Sequence, residues 1–164
     1  QANPSLQVDG FDIDEPSIEQ ATQNARDAGV ADRVHFHATD AAGLAASGPY
    51  DTIFAFECLH DMPRPVEVLA AMRRGIREGG SVVIMDEAVA DDLISPADEM
   101  DQMMYAYSLF VCLPDGLSHP PSVGTGTVMR PSTLLDYARA AGFSDIEILP
   151  TGEFGFWRFY ELTH

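Results

Sequence analysis

The residue from which chemistry can first be argued is the acid that ends the first apolar stretch. Leu6, Val8, Phe11 and Ile13 suit a buried strand, Asp12 stands at its carboxyl end, and Asp14 with Glu15-Pro16 opens a helix. In open α/β sheets, ligands bind at the carboxyl ends of the strands. A carboxylate placed there is acceptor-only and can take both hydroxyl protons of a ribose, so the stretch points to a nucleoside-containing cofactor. The same acid can instead serve only as a turn acid, and Asp14 is read as the cap of the helix that follows. Other chemistry-bearing residues have plainer readings beside them. His35 and His37 alternate and share a face, but no third ligand stands nearby, so sheet packing or solvent exposure is expected. Asp86, Glu87, Asp98, Glu99 and Asp101 can together hold a divalent cation; in a chain this acidic they are read as a solvated face, and no metal is expected. His119, beside Pro120-Pro121, can enter an acceptor pocket or lie on the surface. Cys58 and Cys112 match no metal spacing and sit in apolar runs, which reads as two buried thiols in a reducing, cytoplasmic compartment.

The elements that must position these residues are set by a 164-residue chain, enough for one domain with a real core. Hydrophobic residues make up 46 %, which argues against disorder, and no apolar run approaches the length that spans a bilayer. The formal charge is −17, and all nine basic residues are arginine. Such a surface disfavours phosphate backbones and anionic lipid, so neither nucleic acid nor membrane is expected as a partner.

Apolar spacing predicts a helix over 16–28, ended by Gly29, and a short strand from Val34 to Thr39 before Asp40. Tyr50 to Glu57 is the strongest buried-strand pattern and suits a central parallel strand. A helix from Pro65 to about Arg77 ends at Gly79-Gly80, and Ser81 to Met85 is the next strand. The alternation then breaks. A helix with a methionine-rich packing stripe is predicted from Pro96 to about Val111, followed by a loop from Pro114 to Val128. A helix ending at Gly142 and two strands, Ile146–Leu149 and Phe154–Leu162, linked as an antiparallel hairpin, close the chain. The expected class is α/β: a Rossmann-like, mostly parallel sheet with an antiparallel C-terminal strand.

This order resembles the class I S-adenosylmethionine-dependent methyltransferases, read from their second strand to their last. Gly10-Phe11-Asp12-Ile13-Asp14 resembles the acidic end of the family's second strand, and Phe36 to Asp40 its third. Tyr50-Asp51-Thr52-Ile53 through Cys58-Leu59-His60-Asp61 resembles the fourth strand and its loop. Arg77-Glu78-Gly79-Gly80-Ser81 resembles the Pro-Gly-Gly turn into the fifth, with Glu78 in place of proline, and Ala140-Ala141-Gly142-Phe143 resembles the start of the family's tail. The region about 91–128 and the tail look similar to actinobacterial small-molecule methyltransferases that carry a winged-helix domain before the catalytic one. The resemblance implies one methyltransferase domain over 1–164 with a helical insertion at about 91–128. It implies S-adenosylmethionine as cofactor, held by Asp12 and Ile13 at the ribose, Asp40 and Ala41 at the adenine, and Phe56 and Glu57 on the other side. Leu59-His60-Asp61 resembles the Leu-His-Asp of plant and bacterial O-methyltransferases, where the histidine is the general base; this chain continues with Met62 where tryptophan is usual. A small-molecule acceptor methylated at oxygen is therefore expected.

The family's first strand and its Gly-x-Gly loop have no counterpart here, and Gly124-x-Gly126 follows no strand and opens no helix. The domain is expected to be truncated at its N-terminus and to be the C-terminal part of a longer protein. Because that first strand lies between the second and fourth, its loss would leave two strands short of backbone partners. Instability of the isolated chain, or a homodimer formed by strand exchange, is expected. Two other functional readings remain. A nucleotide-cofactor dehydrogenase fits Asp12 equally well, though not the Gly-Gly turn or the Ala-Gly-Phe tail. A non-catalytic, dimerising remnant fits the missing glycine loop.

Overall fold

The structure is a computed structural model that describes residues 3–152 and 154–163. It opens with β1 (Val8–Asp12), α1 (Glu15–Asp27) and β2 (Val34–Ala38). Asp14 caps α1 by accepting from the Ser17 N–H at 2.9 Å, as its sequence position predicts. A short 3₁₀ turn (Ala41–Ala46) leads to β3 (Tyr50–Phe56), and a second turn (Leu59–Asp61) leads to α2 (Pro65–Gly75) and β4 (Ile76–Glu87). The chain ends with α5 (Pro131–Ala140), β5 (Asp145–Ile148) and β6 (Trp157–Thr163).

The architecture is the expected α/β sheet with a parallel part and an antiparallel C-terminal pair, but it is cut in two. β1 pairs with β2 in parallel as one two-stranded sheet, and β3-β4-β6-β5 forms the other, with β3∥β4 and both β6 pairings antiparallel. β1 and β3 each stand at an edge, with no ladder between them. The core lies against the larger sheet. Val68, Leu69, Ala71 and Met72 of α2 and Leu134 and Ala138 of α5 pack with Ile53, Val82, Ile84, Tyr160 and Leu162 of its strands. Each large side chain so buried contributes roughly 1.5–3 kcal/mol.

Three boundaries depart from the sequence reading. α2 stops at Gly75, and β4 starts at once and runs through Gly79-Gly80, so the two glycines lie inside a strand rather than ending a helix. Gly80 lies so close to its neighbours that a Cβ there would meet the Asp51 carbonyl at 2.8 Å, and only glycine allows that approach. The insertion is more helical than predicted. α3 (Glu99–Tyr107) passes into a π-helical turn (Ser108–Cys112) and then α4 (Leu113–Leu117), so Pro114 lies in a helix and not in a loop. The methionine-rich stripe is also not the packing face expected. Met104 is buried, while Met103, Tyr107, Phe110 and Val111 are exposed. Among the described residues no helix is long and apolar enough to cross a membrane.

Candidate active site

A cavity of about 720 Å³ opens where β1, β2 and β3 end, a volume suited to a small organic ligand. Asp12 and Ile13 line it from the end of β1, and Asp40, Ala41 and Ala42 from the turn after β2. Cys58, Asp61 and Met62 follow β3, Arg64 and Glu67 come from the start of α2, and Ser118, His119 and Pro120 come from the loop after α4. Parallel strands bring their carboxyl ends to one edge, so residues 28 apart in sequence become neighbours. Asp12, Ile13, Asp40 and Ala41 are therefore brought together on one cavity, and His119, expected on the surface rather than in a pocket, is on the wall.

Each acid also has the structural role that stood beside its ligand role. Asp12 Oδ1 accepts from the Asp14 N–H at 2.9 Å, a bond that engages one of its two oxygens. Asp40 Oδ1 accepts from the Ala42 N–H at 2.8 Å, and its Oδ2 accepts from the Arg64 guanidinium at 2.9 Å. A carboxylate held in this way has its direction set before any ligand arrives. Both acids open onto the one cavity, which Ile13 and Ala41 also line.

Phe56 and Glu57 do not line this cavity. Phe56 is exposed on β3, packed edge-on to Phe159 at 6.0 Å between ring centroids. Glu57 has φ 54, the one left-handed non-glycine among the described residues, a strained conformation at a strand end. Burial, reinforced by the charge of Asp86, raises the Glu57 carboxyl pKa.

His60 is buried, 3 % exposed, behind the cavity wall. The register explains what it meets. Phe56 pairs with Met85, and the Glu57 N–H donates to the Met85 carbonyl, so the last residues of β4 fall beside the turn that follows β3. Nδ1 of His60 lies 2.7 Å from Asp86 Oδ1 and 3.5 Å from Glu87 Oε2, while Nε2 lies 3.3 Å from Asp61. With both ring nitrogens facing carboxylates the network favours the imidazolium, its Nδ1–H donating to Asp86 and its Nε2–H directed at Asp61, a residue of the cavity wall. Burial disfavours the imidazolium, but the Asp86 hydrogen bond and charge, with Asp61 and Glu87, outweigh it and raise the imidazole pKa. Glu87 is also raised, by burial and by Asp86 beside it.

The acidic group read as a solvated face is therefore mostly interior: Asp86, Glu87 and Asp101 are all buried. Asp101 belongs to a separate structure, an ion pair with Arg130 at 2.8 Å that ties α3 to the start of α5. Asp86 and Glu87 were missed as partners of His60. The available signal was that both follow the strand paired in parallel with the one preceding His60.

Two glycines hold the His60 turn in place. The Gly126 N–H donates to the His60 carbonyl at 3.1 Å, with φ 71, and a Cβ there would lie 2.2 Å from Ser108 Oγ in the π-helical turn. Gly116 of α4 lies so close that a Cβ would meet the Asp61 carbonyl at 2.9 Å. The Gly124-x-Gly126 run, expected only as part of the loop from Pro114 to Val128, thus braces a site residue. The two cysteines are free and only partly buried, against the expectation of two buried thiols. Burial pushes each thiol up to about 11, so neither is a ready nucleophile at neutral pH. His37 is also accounted for structurally, bonded to Asp9 at 2.7 Å and stacked on Phe11.

Comparison with known proteins adds four findings. Residues 1–128 match the family described as "Methyltransferase domain". The 27-O-demethylrifamycin SV methyltransferase of Amycolatopsis mediterranei is 35 % identical over 82 residues, which is 49 % of this chain and 30 % of that protein. A solved O-methyltransferase-like protein of Nostoc punctiforme superposes with a TM-score of 0.71 at 22 % identity, covering 100 % of this chain and 46 % of the other. The structure of PigF with SAH (S-adenosylhomocysteine) gives a TM-score of 0.70 at 19 % identity, covering 99 % and 45 %. The chain thus spans less than half the length of each of these three proteins.

Proposed function

The chain belongs to the methyltransferase-domain family, and on that premise we propose that the whole protein methylates a small-molecule acceptor at oxygen, with S-adenosylmethionine as its cofactor. The observation that carries the reading is the convergence of Asp12, Ile13, Asp40 and Ala41 on one cavity at the carboxyl ends of parallel strands. Asp12 would accept from the ribose hydroxyls, and Asp40 from the adenine amino group with Ala41 beside the ring. When bound, S-adenosylmethionine supplies an electrophilic sulfonium methyl. His60 is the general base of the proposal: Asp86 fixes its Nδ1–H, and Nε2, once its own proton has left the imidazolium for solvent and Asp61 has moved aside, takes the acceptor's hydroxyl proton. Phe56 and Glu57, which do not line the cavity, would meet only a part of the cofactor that extends beyond it along the β3 edge. His119 and the Ser118–Pro120 wall lie where an acceptor enters. Because positioning dominates such a transfer, the rigid His60 turn matters as much as the base itself.

Calorimetry with S-adenosylhomocysteine on the full-length protein tests the cofactor site. Binding is expected, weakened about tenfold by Asp12→Ala, which removes a charged hydrogen-bond acceptor; absence of binding overturns the reading. His60→Gln should lower kcat by about 10²–10⁴ while leaving that affinity unchanged. The unpaired edges of β1 and β3 favour a second copy of the isolated chain as partner, supplying the absent ladder by strand exchange. Sedimentation of the isolated chain as a folded, cofactor-free monomer would remove that part.

A further inference from the structure

The cavity wall carries the carboxylates of Asp12, Asp40, Asp61, Glu67 and Asp115, and a single guanidinium, that of Arg64. Arg64 stands at the N-cap of α2 between Pro63 and Pro65, and its side chain makes no capping bond there. Proline fixes its own φ and restricts the residue before it, so the backbone at Arg64 has little freedom. The Val123 N–H donates to the Pro63 carbonyl at 3.0 Å and holds the same turn from the loop after α4. From this base the guanidinium reaches the turn after β2. Its Nη2 donates to Asp40 Oδ2 at 2.9 Å, and its Nε pairs with Glu67 Oε2 at 3.2 Å. Asp40 Oδ1 already accepts from the Ala42 N–H at 2.8 Å. Asp40 follows the two-stranded sheet, whereas α2 packs on the larger one, and among the described residues no ladder joins the two sheets. The pair therefore ties together two sides of the cavity that backbone pairing leaves separate.

Stability does not account for this arrangement. The Arg64 side chain is 38 % exposed and that of Asp40 45 %, and an ion pair so open to water contributes little. What the pair fixes is direction. Held by the Ala42 N–H alone, the Asp40 carboxylate can turn about that one bond; held by Arg64 as well, it cannot. We propose that Arg64 is a positioning residue for cofactor selection, holding Asp40 as a fixed acceptor that takes the 6-amino group of adenine and rejects a 6-oxo purine. This rests on the methyltransferase reading and extends it to a side chain outside the ribose and adenine contacts. A carboxylate is acceptor-only, so it accepts from the amine of adenine and repels the carbonyl of hypoxanthine. A site built around such a hydrogen bond discriminates strongly. A carboxylate free to swing admits a water between itself and the carbonyl, and the preference falls.

The test is calorimetry on the full-length protein with S-adenosylhomocysteine and its 6-oxo analogue, S-inosylhomocysteine. The unaltered protein should prefer the adenosyl ligand at least about tenfold. Arg64→Ala should weaken S-adenosylhomocysteine about tenfold and lower the preference to about threefold or less. Arg64→Lys keeps the charge without the planar fork and should lie between the two. Arg77→Ala removes an exposed arginine that pairs with Asp51 at 2.6 Å outside the cavity lining, and should change neither affinity. The assignment is overturned by an unmoved preference in Arg64→Ala, or by an equal loss for both ligands, which makes the pair a brace only. It is also overturned by an equal effect of Arg77→Ala, which reduces the result to net charge, or by an unaltered protein that binds both ligands alike. Where Arg64→Ala does not fold, Arg64→Gln, closer in length, is judged by the same outcomes. Absence of S-adenosylhomocysteine binding by the unaltered protein removes the methyltransferase reading and this inference with it. Binding with an unmoved preference strikes the role of Arg64 alone.

Discussion

The two sheets differ in what they bury. In the larger one, β4 lies between β3 and β6, and Val82 and Ile84 are completely covered. In the smaller one no residue of β1 or β2 is fully buried, and Val8 is 39 % exposed. Both carry apolar strand sequences. The difference shows that an apolar strand is buried by its neighbours and not by its own composition: β1 has β2 on one side and nothing on the other. β3 lies between the two cases, with Ile53 and Ala55 buried toward the helices and Phe54 and Phe56 exposed on its other face. The candidate cofactor cavity lies across both regions. Its Asp12 and Asp40 corners stand on the less supported sheet, and its α2 wall on the better supported one.

The sharpest way to break this comparison is to disturb the best-supported parts first. Asp101→Ala should destabilise the chain by about 3–5 kcal/mol in urea unfolding, because it strands the Arg130 charge at a site where Arg130 also donates to the Ala90 carbonyl. Asp101 also provides a pH readout. Burial opposes its ionisation, but the Arg130 contact and the Ala90 N–H win and hold its pKa below the usual 3.8. A depressed acid contributes stability that is present above its unfolded pKa and lost as pH falls through its folded one. Acid unfolding monitored by circular dichroism should therefore be flatter below about pH 4 in Asp101→Asn than in the unaltered chain. Leu69→Ala, at a completely buried position of α2, should cost about 2–5 kcal/mol. An equal cost for Val8→Ala would show that β1 is as well packed as β4 and would dissolve the contrast.

Smaller effects sharpen it. Gly126→Ala places a methyl against Ser108 at a left-handed position, for a loss of about 1–3 kcal/mol that Ser108→Gly partly restores. Asp14→Ala removes the α1 cap and should cost about 1 kcal/mol, in hydrogen exchange local to α1 and the small sheet.

Much of the fold was legible because it is local. Asp14 sits where a cap belongs, the apolar alternation of Val34 to Ala38 is a strand, and the Ile53–Phe56 run is a strand, although it stands at an edge with one face exposed where a central strand was expected. The end of α2 was misread because Gly79-Gly80 suggests a stop in any context, whereas Ile76 already pairs with Tyr50 of β3 and the glycines lie in the irregular stretch before pairing resumes at Ser81 and Thr52. The exposed face of α3 was misread because helical spacing marks which side chains share a face and not whether anything packs against it. At the site, Asp12, Ile13, Asp40 and Ala41 were readable because each ends or directly follows a strand, and strand ends converge. Phe56 and Glu57 were placed by family resemblance at a cavity that they do not line here.

By itself, then, the sequence determined the order of strands and helices, the parallel-then-antiparallel pattern, and the acids that stand at strand ends, since all of these follow from side-chain period and turn chemistry. Only the tertiary structure decided that Gly79 and Gly80 lie inside β4, with Gly80 against the Asp51 carbonyl. It also showed that Gly126 braces His60, and that Asp86 and Glu87 meet His60 out of reach of solvent. Those outcomes depend on which backbone lies beside which, and a parallel ladder joins residues 26 positions apart that no local pattern connects.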